Sequence, residues 1–323
     1  MNSNNDKTPS LSGATGWLNS SPHALADYKG KVVLINFCTY TCINCLRTLP
    51  YIRAWDEKYR AQGLVVIGIH TPEFSFEKDT ANVSQNMKVR NITYPIAIDN
   101  DYSIWDSFSN HYWPALYFID AKGKIRHRQF GEGGYEASEE MIRQLLAEAG
   151  TGSTSKEPAA VNANGPEVAA DWKDLQSQEN YTGYQRTENF ASPEGMVFNK
   201  LHSYTVPASL NLNQWAISGD WAMKQQVIVL KKASGKIVYR FHARDLHLVM
   251  GPETAGRQVR FRVLVDGKPP GLMHGTDVDE QGYGTVTGQR LYQLIRQPQS
   301  IIDRQFEMEF LDPGVELFAF TFG

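Results

Sequence analysis

Apolar runs alternate with helical patterns in the first half of the chain. Strands are predicted at 31–37, 64–69, 94–98, 115–119 and 124–130. Apolar spacing predicts a helix over 46–60, and polar helical segments are predicted over 77–90 and 103–109. A closing helix is predicted to be capped by Ser138, with Glu139 and Glu140 in its first turn. The alternation predicts an α/β sheet with helices on both faces.

The pattern changes in the second half, where almost no helical spacing is found. Short strands separated by Gly and Pro turns are predicted at 226–230, 236–241, 247–250, 259–265, 290–295, 306–310 and 317–322. Several of them alternate polar and apolar residues. Many short strands with little helix are typical of a β-sandwich or jelly roll.

A small, polar, aperiodic segment separates the two patterns, and its composition is typical of a linker. A chain of 323 residues also suits two domains. We therefore predict a flexible tail over 1–11, an α/β domain over 12–150, a linker over 151–170 and an all-β jelly-roll sandwich over 171–323.

Charge and hydropathy narrow the possible partners and locations. The net charge of −3 gives no electrostatic reason to expect nucleic acid. No run of about 18 apolar residues is present to span a membrane. The polar first residues do not read as a signal peptide, so we expect either a cytosolic protein or one whose signal or membrane segment is missing from this sequence.

All three cysteines lie between positions 38 and 45. A disulfide scaffold would spread them along the chain, so this cluster indicates redox or metal chemistry. Cys42-Ile-Asn-Cys45 follows a predicted buried strand and opens a predicted helix, where unpaired N–H groups and the helix dipole stabilise a thiolate. We predict that Cys42 is the attacking thiolate and that Cys45, one turn further on, resolves the mixed disulfide.

The Trp113-Pro114 pair just before a strand, together with the C-x-x-C motif and Pro50 in the helix, resembles the thioredoxin superfamily. Members carry a cis-proline at this point, beside the cysteines. The resemblance implies a thioredoxin fold, a cis peptide bond at Pro114 and Trp113 packed against the redox-active disulfide of Cys42 and Cys45.

The segment inserted between Ile69 and Pro114 resembles TlpA/ResA-type thioredoxins, and the whole chain resembles the DipZ-type proteins. The motifs that carry this second resemblance are Cys42-Ile-Asn-Cys45, His70-Thr-Pro-Glu-Phe74, Tyr112-Trp-Pro-Ala115, Glu188-Asn-Phe-Ala-Ser-Pro193, Phe241-His-Ala-Arg-Asp245, Asp266-Gly-Lys-Pro-Pro-Gly271 and Leu311-Asp-Pro-Gly314.

That resemblance implies a thiol:disulfide oxidoreductase that needs no cofactor and acts as a reductase of protein disulfides. It further implies an extracytoplasmic location (periplasmic or cell-envelope), a membrane electron donor of the DsbD/CcdA type and a setting in cytochrome c maturation. The second domain would resemble carbohydrate-binding modules, with a carbohydrate as its possible ligand.

The cysteines could also bind zinc, bind Cu(I) or reduce peroxide. Structural zinc needs four ligands, and no second C-x-x-C follows, so we expect no metal. Cys38 is either a buried apolar filler or a third thiol with a regulatory or peroxidatic role. Cys38 and Cys42 also have the spacing of thioredoxin-fold copper carriers, with His111 as a further ligand for Cu(I). Thr39-x-x-Cys42 is a fragment of the peroxiredoxin motif, which leaves a thiol peroxidase as an alternative.

The usual proton acceptors of the family are missing. Asn36 stands where thioredoxins carry a buried aspartate, and Thr48 stands where ResA-like proteins carry a glutamate. Glu73 follows the strand that ends at Ile69, at the sheet edge expected for Cys42. We predict it as a substitute acceptor, with a structural loop carboxylate as the alternative.

No catalytic residue is predicted in the second domain, which has no cysteine. His242 and His247 are expected on opposite sides of a sheet, which argues against a metal site. Five aromatic residues are candidates either for a platform that binds sugar rings or for packing in the core: Trp172, Tyr181, Tyr184, Trp215 and Trp221.

Overall fold

The computed structural model describes residues 9–152, 157–298 and 300–323. The chain divides into two compact units, Met1–Glu167 and Val168–Gly323. Residues 1–8 of the predicted tail lie outside the described part, and Leu11 at its end is buried in the core of the first unit. Among the described residues, the helices are too short or too polar to cross a bilayer.

A mixed sheet forms the centre of the first unit. Its strands are β1 (Gly16–Leu18), β2 (Val32–Cys38), β3 (Leu64–His70), β4 (Ile96–Ile98), β5 (Ala115–Ile119) and β6 (Ile125–Phe130). The spatial order is β1-β4-β3-β2-β5-β6, in which β2, β3 and β4 are parallel and the other pairings antiparallel. The helices are α1 (Ile43–Tyr59), α2 (Thr80–Val89), α3 (Ser103–Ser107) and α4 (Tyr135–Glu148). The predicted α/β thioredoxin fold of this unit is confirmed.

Strand β2 brings the cysteines to one edge of the sheet. Every residue of this strand is buried, as its nearly unbroken apolar sequence predicts for a central strand covered on both faces. Its parallel pairing with β3 places Cys38 opposite His70. The chain then turns and enters α1 at Cys42, which is the N-cap residue of that helix.

Two predicted helix starts are corrected by the structure. Helix α4 begins at Tyr135, after Gly134 in the left-handed conformation (φ +63°) that glycine adopts without strain. Ser138 is therefore a buried interior residue of α4 and not its cap. The polar segment over 77–90 is also divided, because the Asp79 carboxylate accepts the N–H of Ala81 and starts α2 after a separate turn at Ser75–Lys78.

Two residues of the predicted linker, Ala159 and Glu167, are bonded to helices of the first unit. The backbone N–H of Ala159 donates to the carboxylate of Glu139 on α4 at 2.8 Å. The carboxylate of Glu167 pairs with both terminal nitrogens of Arg53 on α1, at 2.8 and 2.7 Å. Linker composition therefore coexists here with specific anchoring to the first unit.

The second unit is all-β, as predicted. Its strands are β7 (Asn180–Tyr181), β8 (Leu201–Tyr204), β9 (Trp215–Met223), β10 (Ile228–Leu230), β11 (Gly235–Phe241), β12 (Asp245–Pro252), β13 (Val259–Val265), β14 (Tyr283–Val286), β15 (Arg290–Arg296), β16 (Arg304–Phe310) and β17 (Val315–Phe322). They form one curled antiparallel sheet in the order β14-β13-β16-β11-β9-β10-β17-β12-β15, with β7 on β17 and β8 on β9. A large aromatic and aliphatic cluster fills its interior.

Two of the five aromatic residues considered for a sugar-binding platform lie inside this core. Trp215 and Trp221 are fully buried in the core, which rules them out of a sugar-binding surface and confirms the packing alternative for them. Trp172 is exposed. His242 lies just outside the end of β11 and pairs with Asp303, so the prediction that both histidines lie on strands was wrong.

Candidate active site

Cys42 is the N-cap residue of α1, immediately before Ile43, and it is half-buried. Its sulfur accepts the backbone N–H of Cys45 at 3.3 Å, as capping side chains do at helix N-termini. An N–H that donates to sulfur stabilises the ionised form of that sulfur. The structure therefore gives the Cys42 sulfur a backbone donor and leaves this residue only half-buried. All three cysteines are free thiols.

Cys45 has a different environment, one turn deeper in α1. It is 6% exposed, and burial is the main reason that its pKa lies well above the ordinary value. The hydrogen bond with Cys42 raises that pKa further, whereas the backbone N–H of Thr39 lowers it by donating to the sulfur. Cys45 therefore remains a neutral thiol before the resolving step.

Cys38 is buried at the end of β2. Burial first, and then the charges of Cys42 and Glu77, raises the pKa of this thiol to about 12. At neutral pH Cys38 is protonated, and protonated buried thiols are poor nucleophiles.

The Trp113–Pro114 peptide bond is cis, as the thioredoxin resemblance implies. The indole N–H of Trp113 donates to the carbonyl of Thr71 at 3.1 Å, just beyond the end of β3. Its ring centroid lies 4.3 Å from that of Trp105 on α3. These contacts anchor Trp113 to the residue that follows β3 and to helix α3.

The positions that lack a family acid are filled by neutral side chains. Asn36 is buried on β2, two residues before Cys38. The hydroxyl of Thr48 donates to the carbonyl of Asn44 within α1 at 2.9 Å. His111, the third ligand in the copper hypothesis, is exposed. In the part of the chain that the structure describes, three or more His, Cys, Asp or Glu side chains do not come together as a metal site.

Glu77 is a buried carboxylate that sequence reasoning missed. It is fully buried, and its Oε1 accepts the hydroxyl of Thr41 at 2.5 Å. Its Oε2 accepts the backbone N–H groups of Glu73 and Phe74 at 2.6 and 3.0 Å. Glu73, the predicted acceptor, is half-buried and contributes its backbone N–H to Glu77. The available signal was the spacing, since Glu77 stands three residues after Phe74, as in a capping box.

His70 is a second buried group that was quoted only as part of a motif. It is fully buried at the end of β3, with Nε2 at 3.3 Å from the Thr39 hydroxyl. Its ring stacks on Tyr40 at 5.7 Å. Burial lowers the pKa of His70 to about 4, so this imidazole is neutral at neutral pH.

A buried ion pair lies two residues beyond Cys45. Arg47 on α1 and Glu132 after β6 approach to 3.2 Å, with side chains 2% and 9% exposed. Burial raises the pKa of Glu132, and Arg47 opposes that shift. The pair joins the active-site helix to the loop that follows β6.

The two family matches fall on either side of the boundary between the structural units. The AhpC/TSA family matches residues 5–128, and the family described as a thioredoxin like C-terminal domain matches residues 177–323. DipZ of Mycobacterium bovis is 36% identical over 98% of this chain, which spans 42% of the length of DipZ.

Shorter relatives match the first unit. The thiol-disulfide oxidoreductase YkuV of Bacillus subtilis is 32% identical over 43% of this chain and 94% of its own. The solution structure of a thioredoxin-like protein in its oxidized form is 32% identical over 44% of this chain and 95% of its own, with a TM-score of 0.41.

A sheet whose central strand leads into a helix capped by one cysteine, with a second cysteine three residues on, defines a thioredoxin-like domain. The chain belongs to the family of thioredoxin-like thiol–disulfide oxidoreductases that includes YkuV, and it is similar to DipZ along nearly its whole length.

Proposed function

We propose that this chain exchanges disulfides with protein substrates through Cys42 and Cys45. The observation that supports this most directly is the contrast between the two sulfurs. Cys42 is half-buried and receives a backbone N–H, whereas Cys45 is buried and has a strongly raised pKa. One sulfur is suited to meet a partner, and the other to act only afterwards.

In the reducing direction the reaction has two steps. The Cys42 thiolate attacks a substrate disulfide, forms a mixed disulfide and displaces the other substrate sulfur, which takes a proton from solvent. Cys45 then gives up its proton, which ends on the departing substrate sulfur, and the Cys45 sulfur attacks Cys42. The Cys42–Cys45 bond forms as the bond to substrate breaks, so the substrate gains two electrons and leaves fully reduced.

The oxidised chain needs an electron donor to act again. By the resemblance to DipZ-type proteins, we assign this role to a membrane partner of the DsbD/CcdA type, with an extracytoplasmic location and a setting in cytochrome c maturation. Pro114 and Trp113 would border the disulfide. The same resemblance makes a carbohydrate the candidate ligand of the second unit, where Trp172 is 61% exposed.

Reduction of insulin by the pre-reduced chain tests the proposal. Cys42→Ser should abolish insulin reduction because the attacking sulfur is lost, and Cys38→Ser, the matched control, should retain stoichiometric reduction. Activity that survives Cys42→Ser, or is lost in a folded Cys38→Ser variant, contradicts the assignment. Stoichiometric Cu(I) binding that requires Cys38 would favour the copper carrier instead, and rapid peroxide consumption would favour the peroxidase.

A further inference from the structure

The loop between β2 and α1 leads into the N-cap cysteine and forms neither strand nor helix. It runs through Thr39, Tyr40 and Thr41 from the end of β2 to the N-cap of α1. Both threonines are 1% exposed. Their hydroxyl groups are therefore shielded from water and need partners inside the protein.

Glu77 supplies a partner from a distant part of the chain. Hydrogen bonds from Thr39 and Thr41 both lower the pKa of Glu77, against the larger effect of burial, which raises it. The same carboxylate accepts two backbone N–H groups from the turn after β3. One buried side chain thus ties the active-site loop to the neighbouring loop.

Each end of this connection reaches a cysteine. Thr41 immediately precedes Cys42, so its hydroxyl fixes the backbone that enters the N-cap. At the other end of the loop, a backbone hydrogen bond with Thr39 lowers the pKa of Cys45. A displacement of the loop would therefore move the capped sulfur and the donor to the resolving sulfur together.

We propose that Glu77 is a positioning residue for thiol–disulfide exchange, which holds the Thr39–Thr41 loop so that Cys45 can attack the mixed disulfide at Cys42. This inference rests on the proposed function. Glu77 touches neither Cys42 nor Cys45 in the described contacts, so the role proposed for it is to hold the loop in place. Glu77 should affect the rate of the second step, in which Cys45 attacks the mixed disulfide at Cys42. That step requires the two sulfurs at the start of α1 to approach in a fixed geometry.

The test separates the two steps in single-turnover experiments on the full chain, with a disulfide that releases a chromogenic thiol as the substrate. Thr41→Val removes the hydroxyl that Glu77 accepts and preserves the shape of the side chain. We expect attack by Cys42 to keep its rate and resolution by Cys45 to slow about tenfold. Thr41→Ser, which restores the hydroxyl, should recover the wild-type rate.

Thr48→Val is the matched control. Thr48 is also 1% exposed and donates its hydroxyl within α1, but to the carbonyl of Asn44. It should lose similar stability without selective slowing of resolution. Glu77→Leu should slow the same step, and adding Thr41→Val to it should bring no further loss, because both changes remove one connection.

Equal resolution rates in wild type and Thr41→Val would overturn the inference, as would equal slowing in Thr48→Val or no rescue by Thr41→Ser. If Glu77→Leu does not fold, the three threonine variants still decide. Failure of the proposed function is distinguishable, since the wild-type chain would then show no mixed disulfide at Cys42 at all.

Discussion

At the scale of single residues, burial and backbone donors give different chemistry to identical side chains. Cys38, Cys42 and Cys45 lie within one short segment, yet only Cys42 is both half-buried and a helix cap. Burial raises the pKa values of the other two thiols. The sequence motif identifies the pair, and the surroundings support the proposed order, in which Cys42 attacks and Cys45 resolves.

His70 provides a test of burial at this scale. Its pKa is lowered from 6.5 to about 4, so the unfolded chain takes up a proton at a higher pH than the folded one. The stability that this difference provides is complete above pH 6.5 and is lost as the pH falls towards about 4. It amounts to roughly 3 kcal/mol across that window.

Urea unfolding between pH 7 and pH 4.5 checks this expectation. Wild type should lose stability on acidification more steeply than His70→Gln, which lacks the titrating group. Parallel stability curves for the two proteins would show that burial of His70 does not have the stated effect.

At the scale of elements, the strands of the first unit were predictable because their apolar runs are local and continuous. The start of α4 was not, because Gly134 and the buried partners of Glu139 outweigh the capping preference of Ser138. Glu77 was missed for a related reason. Its hydroxyl partner Thr41 lies 36 positions away in sequence, and only the parallel pairing of β2 with β3 brings these loops together.

The ion pair between α1 and the loop after β6 yields a prediction about these elements. Glu132→Gln removes the anion opposite a guanidinium that is 2% exposed. A buried charge that loses its counter-ion is costly, so we expect a loss of about 3 kcal/mol in the free energy of unfolding. Glu136→Gln, at an exposed position of α4, is the control and should change it little. A loss for Glu132→Gln as small as that of the control would contradict the expectation.

At the scale of the whole molecule, the cysteines and the large aromatic core lie in different parts of the chain. All three cysteines belong to the first unit, and the second has none. Most aromatic residues of the second unit pack in its core, including both tryptophans of β9. The two-part division was predictable from the change in hydrophobic pattern. Which aromatic residues remain on the surface was not, since that depends on how the strands pair.

The central claim is that Cys42 attacks and Cys45 resolves. It is tested most directly by mass-spectrometric mapping of the complex that Cys45→Ser forms with a protein disulfide. Without the resolving sulfur, the account predicts a stable mixed disulfide between Cys42 and the substrate, with Cys38 unmodified. A linkage through Cys38, or release of the substrate as fast as in wild type, would contradict it.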